Sequence, residues 1–68
     1  MTKLYEITRE TEQGIIYFKG FGLFGIKEFT YNRAEAKTYN NADNAIDDCT
    51  RINEGKLLNK ACIRRADR

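Results

Sequence analysis

Residues 41–55, Asn-Ala-Asp-Asn-Ala-Ile-Asp-Asp-Cys-Thr-Arg-Ile-Asn-Glu-Gly, constrain the fold more than any other stretch of this chain. Ala42, Ala45, Ile46, Cys49 and Ile52 recur at helical spacing, Asn41 can cap the first turn with its side-chain oxygen, and Gly55 stands where a left-handed terminator belongs. The spacing predicts one amphipathic helix. Its apolar positions fill an arc of roughly 120° on the helical wheel, the width of a core-facing stripe, so this face must cover apolar surface elsewhere in the chain.

What it covers reads as a sheet. Residues 4–9 alternate, with Tyr5 and Ile7 on one face and Leu4, Glu6 and Thr8 on the other, and the polar residues 10–14 read as the turn that follows. The return strand begins at Ile15, where Ile15, Ile16, Tyr17 and Phe18 put apolar side chains on both faces. One helix covers one face, so the face of Tyr17, with Phe21, is expected to stay open for water, a second copy or a partner. Gly20, Gly22 and Gly25 then permit a bulge, a sharp bend or a hairpin tip that holds Phe21 and Phe24 outward. Residues 26–31 resume a strand and residues 32–39 allow a short turn of helix. Residues 57–65 read as the last strand, with Leu57, Ala61 and Ile63 on one face and Lys60, Cys62 and Arg64 on the other. The expected fold is α+β, a single domain over residues 1–68: a small antiparallel sheet of three to four strands with one main amphipathic helix packed on one face.

Composition narrows the function classes. The chain is 41% apolar but has no run long enough to span a bilayer. Two cysteines and no histidine neither assemble the usual zinc site nor form a secreted disulfide framework, so no cofactor or metal is expected. The opening Met-Thr-Lys-Leu-Tyr lacks an apolar signal core, and the cytoplasm is the expected compartment. A domain this small buries only about 60% of its unfolded surface, so a second copy or a partner would add stability.

The net charge of +2 is small, yet unevenly placed. Asp43, Asp47 and Glu54 fall within about 40° of one another on the helical wheel, whereas Lys56, Lys60, Arg64, Arg65 and Arg68 follow the helix. The acidic stripe reads as a solvated helix face, as a patch for basic groups on a partner, or as a metal or acid–base site, the last without converging groups. Cys62, between Lys60 and Arg64, is placed for a lowered thiol pKa, and Cys49 reads as a small core residue.

The glycine-rich stretch matches two motifs. Gly20, Gly22 and Gly25 satisfy G-x-G-x-x-G, but residues 26–31 lack the helical periodicity that dinucleotide binding requires, and the match reads as chance. Lys19-Gly20-Phe21-Gly22 resembles the RNP1 start of the cold-shock proteins, which carry Lys-Gly-Phe-Gly-Phe on an early strand. Leu23 and Phe24 depart from that family's order, and the helix over residues 41–55 stands where the family has strands. The chemistry is separable from the fold: Tyr17, Lys19 and Phe21 at alternate positions, with Lys60 and Arg64 near, would stack bases and neutralise phosphates of single-stranded RNA or DNA.

Ala36-Lys37-Thr38-Tyr39 and the capped helix after it, with Ala45 and Cys49 spaced through residues 40–49, resemble a pattern common in very small proteins of bacteriophages and mobile elements. There a hairpin leads into Ala-Lys/Arg-x-Phe/Tyr, a capped helix and one final strand. Several anti-CRISPR proteins share this build, and the resemblance spans residues 34–63. It implies a stoichiometric inhibitor or modulator that occupies a site on a host protein or complex, in the bacterial cytoplasm, with no catalysis of its own. Tyr17, Phe21 and Phe24 would anchor it, while Lys19, Lys60 and Arg64, or the acidic Asp43, Asp47 and Glu54, would orient it. A homodimer through the open sheet face is the remaining partner reading.

Overall fold

The computed structural model describes residues 3–55 and 60–66. Alternating polarity makes strand β1 (Tyr5–Thr11), and the apolar run from Ile15 to Phe18 makes β2 (Gly14–Phe21), with Glu12 and Gln13 between them. Thr11 holds this turn: its Oγ1 donates to the Gly14 carbonyl at 2.7 Å and accepts the Gln13 N–H at 3.2 Å. A 3-10 turn over Leu23–Gly25 leads into β3 (Lys27–Thr30), and a second over Arg33–Glu35 leads on to the helix α1 (Ala42–Asn53). After the helix comes strand β4 (Cys62–Arg65). The sheet is antiparallel throughout, in the order β3-β2-β1-β4. Over the described residues the protein is therefore α+β, with four strands and one helix on one face, as the periodicity predicts. Leu57, expected on the last strand, lies outside the described residues.

The helix forms where the apolar stripe requires it. Asn41 accepts the Asp43 N–H at 2.8 Å as its cap, and the backbone turns left-handed at Gly55 (φ 78°). Ala45, Cys49 and Ile52 bury against Ile7, Phe18 and Ala61, with Tyr5, Phe21, Phe29 and Ile63 packed around them. Ile46, on the edge of the same arc, stays exposed. Asn53 ties the helix end to β4: its amide oxygen accepts the Ala61 N–H at 2.7 Å and its nitrogen donates to the Ala61 carbonyl at 3.0 Å, as a neighbouring strand would. Residues 37–39 wedge between β1 and β2. Lys37 N–H donates to the Phe18 carbonyl at 2.9 Å, and Tyr39 exchanges two backbone bonds of 2.8 Å with Tyr5. Among the described residues, no helix is long and apolar enough to cross a membrane.

The second sheet face is less open than the pattern suggests. The Arg33–Glu35 turn folds over it. Arg33 Nε donates to Glu6 Oε1 at 3.2 Å, Thr30 Oγ1 donates to Glu35 Oε1 at 3.0 Å, and Lys19 Nζ lies 3.9 Å from Glu35 Oε2. Glu6 and Thr8 are only 3% exposed beneath this cover, and Tyr17 is half-buried. A buried carboxylate persists only with a charged partner, and Arg33 supplies it.

Phe21 also departs from the expected face. A register shift between Phe18 and Gly20 adds a residue to β2, so the side chain of Phe21 falls on the helix side. There its ring meets Phe18 edge-on, 5.0 Å between centroids, and the Arg51 guanidinium stacks 4.9 Å above it. The shift depends on Gly20, whose φ of 146° is strained for any residue with a Cβ. Gly20→Ala is expected to cost about 1–2 kcal/mol, lowering the melting temperature by roughly 5–15 °C at this chain length. Thermal unfolding followed by circular dichroism checks it.

Candidate functional site

Among the described residues, the most exposed apolar side chains gather around β3, the outer strand of the sheet. Glycines on either side let the Leu23–Gly25 turn project, and three backbone bonds close it: Gly22 N–H to the Ile26 carbonyl at 2.7 Å, Gly25 N–H to the Gly22 carbonyl at 3.1 Å, and Ile26 N–H to the Leu23 carbonyl at 3.2 Å. Phe24 sits at its apex with φ 58° and ψ 24°, a left-handed conformation uncommon for an aromatic residue. Its side chain is 99% exposed, with Leu23 at 82% and Ile26 at 61%. Tyr31, just beyond the other end of β3, is 65% exposed. Isolated surface apolar residues need no explanation, but four on nine consecutive residues around one edge strand form a coherent surface.

The residues singled out from the sequence divide among three places. Phe24 stands on this tip. Tyr17, Lys19, Lys60 and Arg64 do not, and Phe21 lies on the helix side: the first four share the second sheet face, Tyr17 opposite Thr8, Lys19 beside Glu35, and Arg64 opposite Glu6 on β4. Lys60 and Arg64 flank Cys62 and line a groove of about 270 Å³ with Thr8 and Glu10. Glu10 Oε1 lies 3.6 Å from Arg64 Nη2. The stacking platform of Tyr17, Lys19 and Phe21 on one face is not formed, because the shift at Gly20 separates Phe21 from the other two. Lys19 of that platform and Arg64, expected near it, face carboxylates of the same chain.

Asp43, Asp47 and Glu54 are exposed and spread along the helix. Among the described residues, no three His, Cys, Asp or Glu side chains converge as metal ligands would. Asp47 lines a groove of about 590 Å³ between the helix and residues 37–40, together with Asn44, Asp48 and Arg51. Asp48, which periodicity does not single out, is the acid with the tightest bond there. Tyr39 Oη donates to Asp48 Oδ2 at 2.6 Å, and Lys37 Nζ lies 3.5 Å from the same oxygen and 5.1 Å over the Tyr39 ring. This group clamps the helix to the chain entering it.

Burial, and then the Asp48 bond and charge, push the Tyr39 phenol well above its ordinary value of 10.0. A group whose folded pKa is raised contributes stability that is complete below the unfolded pKa and lost as pH rises above it. The melting temperature should therefore fall as pH climbs past about 10, and Tyr39→Phe should fall less steeply over the same interval. Melts at stepped alkaline pH read the difference between the two slopes. Burial likewise pushes the Cys49 thiol up, with its Sγ 3.3 Å from the Ala61 carbonyl, which fits an inert core residue.

Leu23, Ile26 and Tyr31 were not legible as site residues. The one sequence signal for the tip is Leu-Phe enclosed by Gly22 and Gly25, and it does not say which side chains face out. No family model, curated protein or solved structure matches this chain.

Proposed function

We propose that this chain is a small non-catalytic binding protein that acts by occupancy, a stoichiometric inhibitor or modulator docking on a host protein or protein complex. The observation that carries the reading is the hydrogen-bonded tip that holds Leu23, Phe24 and Ile26 in water. Exposing three large apolar side chains together is unfavourable for a free chain and is recovered when they enter a recess on a partner. A pre-ordered turn also loses little conformational freedom on docking. The bacterial anti-defence setting is supported only by the resemblance of residues 34–63 to small phage proteins. Single-stranded nucleic acid is the competing ligand, and salt separates the two, because phosphate binding weakens steeply with salt whereas an apolar contact does not.

The test is a tagged-chain capture from bacterial lysate, with nuclease and with low- and high-salt washes, run beside Phe24→Asn. A near-stoichiometric protein that survives nuclease and high salt and is absent with Phe24→Asn is the expected result. Nucleic acid alone, released by salt and unaffected by the tip substitution, contradicts the reading.

A further inference from the structure

The tip continues into a strand edge with no cover of its own. β3 ends the sheet, and among the described residues no backbone group of Lys27–Thr30 bonds to anything beyond β2. Unpaired edges invite another strand, and natural sheets usually guard them with outward charged side chains. β3 has two such residues, and both turn back onto the fold. Lys27 Nζ donates to the Ile52 carbonyl at 3.1 Å, at the end of the helix. The Glu28 carboxyl group lies over Gly22, so close that a Cβ there would stand 2.9 Å from it. Both side chains are exposed but held back on the fold, and the edge runs between exposed Leu23, Phe24 and Ile26 at one end and exposed Tyr31 at the other.

Resting on the docking reading above, we propose that the β3 edge is a strand-addition site: an extended segment of the partner protein pairs with Lys27–Thr30 while its apolar side chains meet the tip and Tyr31. Only a strand completes a row of outward N–H and C=O groups, which sets this occupant apart from a helix or a flat surface. A second copy of the chain fits poorly. A two-fold axis that pairs β3 antiparallel with itself stands perpendicular to the sheet and brings together residues of the same face, so it centres on Glu28 or on Phe29. The first sets Glu28 against its own copy, like charge on like charge. The second lays Ile26, Gly25 and Phe24 beside Asn32, Arg33 and Ala34 of the copy, two polar residues and one small one, all exposed. The occupant is therefore a different protein.

The backbone tells which amides to block. Ile26 turns its carbonyl to Gly22, so by the alternation of the ladder Glu28 and Thr30 face β2 while Lys27 and Phe29 face outward. At 68 residues the full chain is accessible by chemical synthesis, and an N-methyl group on the Phe29 amide removes one outward donor with every side chain retained. A second chain, N-methylated at Lys27 instead, covers the case in which the first does not fold. A displayed library of random nine-residue peptides is selected on the wild-type chain, and the enriched peptides are measured against the methylated chains. The expected outcome is extended peptides rich in alternating β-branched or aromatic residues, whose affinity falls at least tenfold on the methylated chains and again when their own alternate amides are methylated. Enriched peptides that bind methylated and unmethylated chains equally, or no enrichment on the wild type, overturn strand addition. Either of those results leaves tip docking standing if Phe24→Asn still abolishes capture from lysate, and a capture indifferent to Phe24→Asn removes the docking reading itself.

Discussion

Phe24→Asn is expected to fold as stably as the wild type and to lose its partner. Phe24 contributes almost no packing, since its side chain lies entirely in water, and its backbone occupies a region where asparagine is among the most tolerated residues. The substitution removes a bulky side chain from a strained position, so its melting temperature should equal the wild type's or exceed it by a few degrees. Binding should behave in the opposite way. An aromatic anchor at the centre of an interface is commonly worth 2 kcal/mol or more on truncation, which corresponds to an affinity loss of roughly 30-fold or greater. Circular dichroism melts and titration calorimetry with the captured partner measure the two quantities on the same sample. A residue that costs stability nothing and costs binding much has no packing role to explain its presence.

Phe18→Ala should do the reverse and remove the fold. Phe18 is fully buried and stacks edge-on with Phe21 at 5.0 Å and with Phe29 at 5.7 Å between centroids. Truncating a buried phenylalanine costs about 3–5 kcal/mol, and a chain of this length has on the order of 3–10 kcal/mol of stability in total. The variant should be substantially unfolded at 25 °C by far-ultraviolet circular dichroism, with no cooperative melt. Because β2 carries both the core and the route to the tip, it should also fail to capture a partner, and Phe24→Asn separates that indirect loss from a direct one.

The helix was legible in the sequence because everything that makes it is local. The Asn41 cap, the stripe of Ala45, Cys49 and Ile52, and the turn at Gly55 lie within fifteen residues and need no knowledge of the rest of the chain. The strands were legible for the same reason, through period-two alternation on β1 and the continuous apolar run that opens β2. What escaped depends on non-local pairing. Three glycines permit a bulge without saying where it falls, so the side of the sheet on which Phe21 lies is decided only when β2 pairs with β3. The cover over Glu6 comes from Arg33, 27 residues away, and the partner of Asp48 is Tyr39, nine residues earlier and outside the helix. Glu6 in the middle of an otherwise ordinary strand was the available hint, since a buried carboxylate predicts a cation that must come from somewhere. Of the proposed anchors, Phe24 was visible as an aromatic at a glycine-bounded tip. Leu23, Ile26 and Tyr31 joined it only when the strand order placed β3 at the edge of the sheet.

Hydrogen–deuterium exchange on the chain alone and in its captured complex tests the docking account most directly. The account predicts new protection concentrated on residues 22–31, with the helix edge at Asp43 and Asp47 and the basic strand at Cys62 and Arg64 unchanged. Protection on Cys62–Arg65 or on the acidic helix edge, with residues 22–31 exchanging as freely as before, would contradict it.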